Sequence, residues 1–175
     1  MKLRILVTAV ALALSIHLST LWAGEKVTLK SKDGLSQIVL PEGWVAADSS
    51  NPAAAIEGRD EDSNAFVMVI IADRTDPYAT LSEFARDRRN EVLSHLVKSK
   101  CTQPREFQWN DSNAVQYEIH GTFAASKVAF GYFLTVIEVK HHYIEVVGWS
   151  VDTAFDDFAQ TLRDAASNVT YTGEQ

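Results

Sequence analysis

Cysteine is almost absent from this chain: Cys101 is the only one in 175 residues. A single cysteine closes no intramolecular disulfide, so packing must hold the fold. Proline is nearly as scarce, with four residues, and the eight glycines are scattered. That excludes collagen-like, proline-rich and glycine-rich linker sequences. No phosphate-binding glycine loop occurs, because Gly121, Gly131 and Gly148 stand alone inside apolar runs. In such places a single glycine relieves crowding, forms a bulge or admits a close helix. No G-x-S-x-G nucleophile elbow occurs either. Basic residues are in the minority, 16 against 23 acidic ones, for a formal charge of −7. An acidic chain is a poor partner for nucleic acid or an anionic membrane surface. It suits a basic protein partner, although solubility alone accounts for it.

Long apolar runs are confined to the start. Lys2 and Arg4 precede an apolar stretch over residues 5–14, and residues 17–23 form a more polar exit. This reads as a secretory signal peptide over residues 1–23, cut after Ala23 or within a residue or two of it. The apolar core falls short of the roughly 20 residues that span a bilayer, and Ser15 and His17 interrupt it. Residues 24–175 then form one domain, with 14 basic and 23 acidic residues and a formal charge of −9. The expected location is the bacterial periplasm or the exterior, without membrane insertion after cleavage.

What the mature chain does have is alternation. Residues 113–123 place Val115, Tyr117, Ile119 and Phe123 on one face and polar residues on the other, which predicts a half-buried strand. Residues 128–139 and 65–72 are apolar on both faces, as in strands covered from both sides. Residues 142–151 complete a run of three strands, and residues 25–40 read as a hairpin turning at Asp33-Gly34. A short strand is expected over residues 105–109. Thr80 with Glu83 forms a capping box that opens a helix with an apolar stripe from Leu81 to Leu96. A second helix follows Asp152 or Thr153, its stripe running from Phe155 to Val169, and residues 170–175 are expected to fray. Strands, helix, strands, helix without strand–helix–strand repetition is an α+β order. The expectation is a central, mostly antiparallel sheet of six or seven strands packed by two main helices.

The chain resembles the PsbP-like superfamily, and within it the bacterial DcrB-like periplasmic proteins of uncharacterised function. The likeness is carried by Ile38-Val39-Leu40-Pro41-Glu42-Gly43-Trp44, the Leu81/Phe84 helix, and Tyr117-Glu118-Ile119-His120-Gly121. Val146-Val147-Gly148-Trp149-Ser150 and Ala165-Ala166-Ser167-Asn168-Val169 add to it. The resemblance implies an α-β-α layered fold and a role as an adaptor. Some such proteins assist the photosynthetic oxygen-evolving complex, some bind a small GTPase, and some chaperone apolar segments of secreted toxins. It carries no agreed catalytic residues.

The chemistry-bearing residues point the same way. Lys98 and Lys100 beside Cys101 could lower its pKa, but Thr102-Gln103-Pro104 is no activating context for a nucleophile. His141 and His142 are adjacent in an extended segment and point to opposite faces, so they do not readily share an ion. His120 could approach one of them, with Glu118 or Glu145 adding an oxygen. The acidic run Asp60-Glu61-Asp62 lacks the spacing of a calcium loop and reads as a solvated turn. Trp109, after Phe107 and beside a polar turn, is the aromatic expected at an exposed interface. No enzyme activity, cofactor or metal is expected. The expected role is binding, through Trp109, Phe107, His120, His141 and His142, to another envelope or secreted protein, in a chaperone-like or immunity-like manner. A pocket protein for a small apolar or amphipathic ligand is the alternative, and a hydrolase with a non-obvious site is a further one.

Overall fold

The computed structural model describes residues 25–49, 51–74 and 80–173. Residues 1–24, 50, 75–79 and 174–175 lie outside these, and with them the expected signal segment over residues 1–23. Eleven strands and two α-helices are formed by the described residues. They are β1 (Val27–Lys30), β2 (Ser36–Leu40), β3 (Trp44–Ala46), β4 (Ala54–Asp60), β5 (Ala65–Asp73), α1 (Leu81–Ser94) and β6 (Leu96–Cys101). Then come β7 (Arg105–Trp109), β8 (Ser112–Phe123), β9 (Ala129–Glu138), β10 (His142–Val151), α2 (Phe155–Asp164) and β11 (Val169–Tyr171).

The main sheet runs β3-β4-β5-β10-β9-β8, and β6 and β7 share the far edge of β8 end to end. That makes eight strands, against the six or seven expected, and every pairing is antiparallel. The fold is therefore α+β, with a helix on each face of one antiparallel sheet. The extra strand is β6, whose residues are exposed from Val97 to Cys101 and so give no burial signal in the sequence. A separate three-stranded sheet joins β1, β2 and β11. Its hairpin turns where expected, with Gly34 at φ 73°, a left-handed value open to glycine at little cost.

Two apolar layers sandwich the main sheet. On one face α2 packs over β9, β10 and β5, with Phe155 stacked on Phe133 at 5.5 Å. Gly131 and Gly148 make this approach possible, since a Cβ on Gly131 would overlap the Phe155 ring and one on Gly148 would lie 3.0 Å from Leu162. On the other face α1 packs over β8, β9 and β6, opened by the expected cap in which Glu83 N donates to Thr80 Oγ1 at 3.2 Å. The two faces are not equally covered. On the face of α1, β5 offers Phe66, Met68 and Ile70, and all three stay half-exposed while Ala65, Val67 and Val69 are buried on the other. The expectation that β5 is buried on both sides fails because α1 stops short of it. The reverse holds for β8, where Ala114 and Gln116 on the supposedly solvated face are buried. Gln116 Nε2 donates to Thr135 Oγ1 at 2.8 Å and to the Arg163 carbonyl at 2.9 Å.

The C-terminal helix is shorter than its apolar stripe. It ends at Asp164, passes through a tight turn at Ala165–Asn168, and becomes β11, where fraying was expected at Thr170. The stripe residue Val169 is buried as a strand residue opposite Ile38.

Candidate functional site: an apolar groove with a buried carboxyl

The half of the sheet that α1 leaves open forms the floor of a groove of about 650 Å3. The floor is Met68, Ile70 and Ala72 of β5 with Val147 and Trp149 of β10. The walls are Phe84, Arg88 and Val92 of α1 on one side and Asn51 and Ala53 on the other. The size falls in the range of small-molecule pockets. Trp149 lies against Phe66, with ring centroids 5.2 Å apart and planes 11° from parallel, so it is half-buried and still faces the groove.

Glu145 rises from this floor. Its neighbours across the ladder are Ile70 and Val136, and those along its own strand face are Tyr143 and Val147. It is 7% exposed. Burial pushes its carboxyl up to about 7, offset in part by the attraction of Arg88 and reinforced by the repulsion of Glu91. Arg88 is itself committed. One guanidinium nitrogen meets Asp87 at 2.9 Å and another meets Glu91 at 2.6 Å, while its Nε is buried without an acceptor among the described residues. Burial also holds the Tyr132 hydroxyl, on the same groove, up at about 12.

The residues singled out from sequence are placed elsewhere. Trp109 is 9% exposed and donates its indole N–H to the Ala166 carbonyl at 2.9 Å, so the exposed aromatic expected there is a core residue. The turn at Ala165–Asn168 supplies that acceptor, and nothing near Trp109 in the sequence announces it. Phe107 is half-buried against the same core cluster. A smaller hollow of about 380 Å3 beside Trp109 is lined by Asn110, Lys140 and Tyr171. His142 packs edge-on against Tyr171 at 5.6 Å and sits 3.2 Å from Asp73, so Phe107, Trp109 and His142 share this end of the sheet. His141 is exposed in the turn before β10.

His120 lies at the other end, since it pairs with Gly131, which in turn pairs with Ser150. Ser150 is eight strand steps from His142, roughly 27 Å at the usual rise. His120 Nε2 stands 3.0 Å from Glu118 and Nδ1 3.5 Å from Asp152, with the Phe155 ring edge-on at 4.7 Å. The three candidate histidines thus do not converge. Among the described residues no group of three or more His, Cys, Asp or Glu could hold a metal ion. Cys101 is exposed, and burial of its sulfur raises its pKa, only partly countered by Arg89. Its activation by Lys98 and Lys100 is therefore not seen.

Sequence reasoning gave Glu145 only a passing role as an added oxygen for His120. The signal was there: an acid whose i−2 and i+2 neighbours, Tyr143 and Val147, are inward-facing and apolar.

The architecture just described is that of the PsbP-like proteins, at the level of fold. The solution structure of cyanobacterial PsbP (CyanoP) from Synechocystis sp. PCC 6803 superposes with a TM-score of 0.60 at 12% identity, covering 87% of this chain and 95% of that one. The Ran-binding protein Mog1p of Saccharomyces cerevisiae gives 0.61 at 11% identity, covering 85% and 96%. LpqN of Mycobacterium tuberculosis, described as involved in cell envelope biogenesis, gives 0.55 at 14% identity, covering 85% and 91%. No family model and no curated protein sequence matches the chain. Among the described residues no helix is long and apolar enough to cross a membrane.

Proposed function

We propose that this protein is a non-enzymatic binding protein of the bacterial envelope or exterior, which receives an apolar or amphipathic guest in the groove between α1 and the open half of the sheet. One observation carries the reading: β5 and β10 present Met68, Ile70, Val147 and Trp149 to a concave space that α1 does not fill. Apolar surface left in this way gains about 25 cal/mol for every Å2 that a guest removes from water. The envelope location rests on Lys2, Arg4 and the short apolar run behind them. It agrees with the involvement of LpqN, whose fold is similar, in cell envelope biogenesis.

The test uses Trp149 as a reporter, because Trp44 and Trp109 are buried away from the groove. Titration with the apolar dye N-phenyl-1-naphthylamine should give saturable energy transfer from tryptophan with one dye per chain. Ile70→Trp, which fills the groove from a half-exposed position, should abolish it while the circular dichroism spectrum stays unchanged. Dye binding that survives Ile70→Trp would remove the groove from the proposal.

A protein partner is the second reading, and one feature favours it. β6 edges the main sheet with five exposed residues, Val97 to Cys101, ready for strand addition. Lys98 and Lys100 on that edge, and the register shift between Val97 and Lys100, work against promiscuous pairing. Copurification from native extracts with mass spectrometry of proteins and small molecules separates the two readings. A stoichiometric polypeptide supports the edge, and a retained small molecule supports the groove.

A further inference from the structure

Glu145 has no hydrogen-bond or ion-pair partner among the described residues, although it is more than nine-tenths buried. The two oxygens are not fully enclosed, so their remaining access is through the groove, and a carboxyl this buried without a protein partner is costly to ionise. Leucine at this position would complete the apolar floor made by Ile70, Val136, Tyr143 and Val147. The nearest cation, Arg88, has its two terminal nitrogens on Asp87 and Glu91, and only its buried Nε is without an acceptor among the described residues. The carboxyl therefore faces into the groove with its bonding capacity unspent.

The charges around it decide what it can meet. From α1 it is faced by Arg88 and Glu91, with Asp87 bound to Arg88; Tyr132 comes from β9 and Tyr143 from its own strand. Asp73 and His95 stand at the ends of the groove. One guanidinium is outnumbered by Asp87, Glu91 and Glu145. An anionic head would be set against three carboxylates, and a wholly apolar guest would bury Glu145 further without a partner. An ammonium supplies donors and the missing charge together. The rings of Trp149 and Tyr132 line the same space, and aromatic faces attract cations.

We infer that the groove is a binding site for a small apolar amine, its ammonium set against Glu145 and its hydrocarbon tail along Met68, Ile70, Val147 and Trp149. This rests on the groove being the guest site. Binding requires the ionised carboxyl, so the amine displaces the Glu145 proton and its affinity rises with pH until that proton is gone.

Tryptophan fluorescence and calorimetric titrations with decylammonium, decanol and decanoate, all below micelle formation, test it. The full-length protein should bind decylammonium at least tenfold tighter than decanol, with decanoate weakest. Between pH 8 and pH 6 decylammonium should lose about tenfold in affinity, while decanol changes little, as expected for a carboxyl titrating near 7. Glu145→Gln should remove the preference for decylammonium and leave decanol binding in place. Equal binding of the three probes, or a preference that survives Glu145→Gln, would overturn the amine inference while the groove reading stands. Absence of binding by all three would sink both. An apolar lysine-bearing peptide that binds where decylammonium does not would overturn the inference and assign the site to a protein.

Discussion

Replacing Glu145 with glutamine changes how the protein's stability depends on pH, and the structure sets the size and sign of the effect. In the unfolded chain the carboxyl titrates near its ordinary 4.5, and in the fold burial holds it up at about 7. Between those values the native state keeps a proton that the unfolded state has released. Native binding of more protons means that stability falls as pH rises through this window. The two values correspond to about 3 kcal/mol of stability present below pH 4.5 and lost above pH 7. Glutamine keeps the shape and cannot ionise. Urea unfolding followed by tryptophan fluorescence should therefore find the variant and wild type within about 1 kcal/mol of each other at pH 5. At pH 8 the variant should be more stable by about 3 kcal/mol, or roughly 6–12 °C in Tm for a chain of this size. The difference between the two proteins is the quantity to read, because every other titrating group cancels in it. A difference that stays constant from pH 5 to pH 8 would refute the reasoning, and would mean that Glu145 finds a partner or water in solution.

Two further outcomes follow from buried polar contacts. Trp109→Phe removes the indole N–H from the Ala166 carbonyl and should cost about 1–3 kcal/mol in chemical denaturation, through an acceptor left buried and a small void. It should leave groove binding untouched. Asp60→Ala removes a carboxylate that accepts the backbone N–H groups of both Asn64 and Ala65 at 2.6 Å. It should destabilise the protein by about 2–4 kcal/mol in the same assay.

Of the long strands over residues 113–151, the first was readable from its alternation and the second from an apolar run on both faces, and both signals are local in sequence. The helix from Thr80 was readable because its cap is local in sequence. Coverage was not local. Nothing in residues 65–72 says that α1 stops short of β5 and leaves Met68 and Ile70 half-open. Nothing in residues 113–123 says that Arg163 and Thr135 will bury Gln116. The site was missed for the same reason. Trp109 looked exposed because its neighbours in sequence are polar, whereas its acceptor lies 57 residues further on. Asp60 looked solvated for want of the same information, since its task is to clamp a turn. β6 and β11 were hidden for a different reason. The first shows no apolar alternation because an edge strand needs none, and the second is three residues long at the end of a helical stripe.

The pairing of β11 with β2 joins the last described strand to nearly the first, Val169 to Ile38. Both side chains are buried in one core cluster, so the smaller sheet is a clasp and not an ornament. A clasp of this kind cannot close while the chain is still being made. Until Val169 arrives, Ile38 lacks its neighbour, and the β1–β2 hairpin is left to its own marginal stability. The smaller sheet is thus complete only once residues 169–171 are in place, and with it the part of the core that Ile38 and Val169 share.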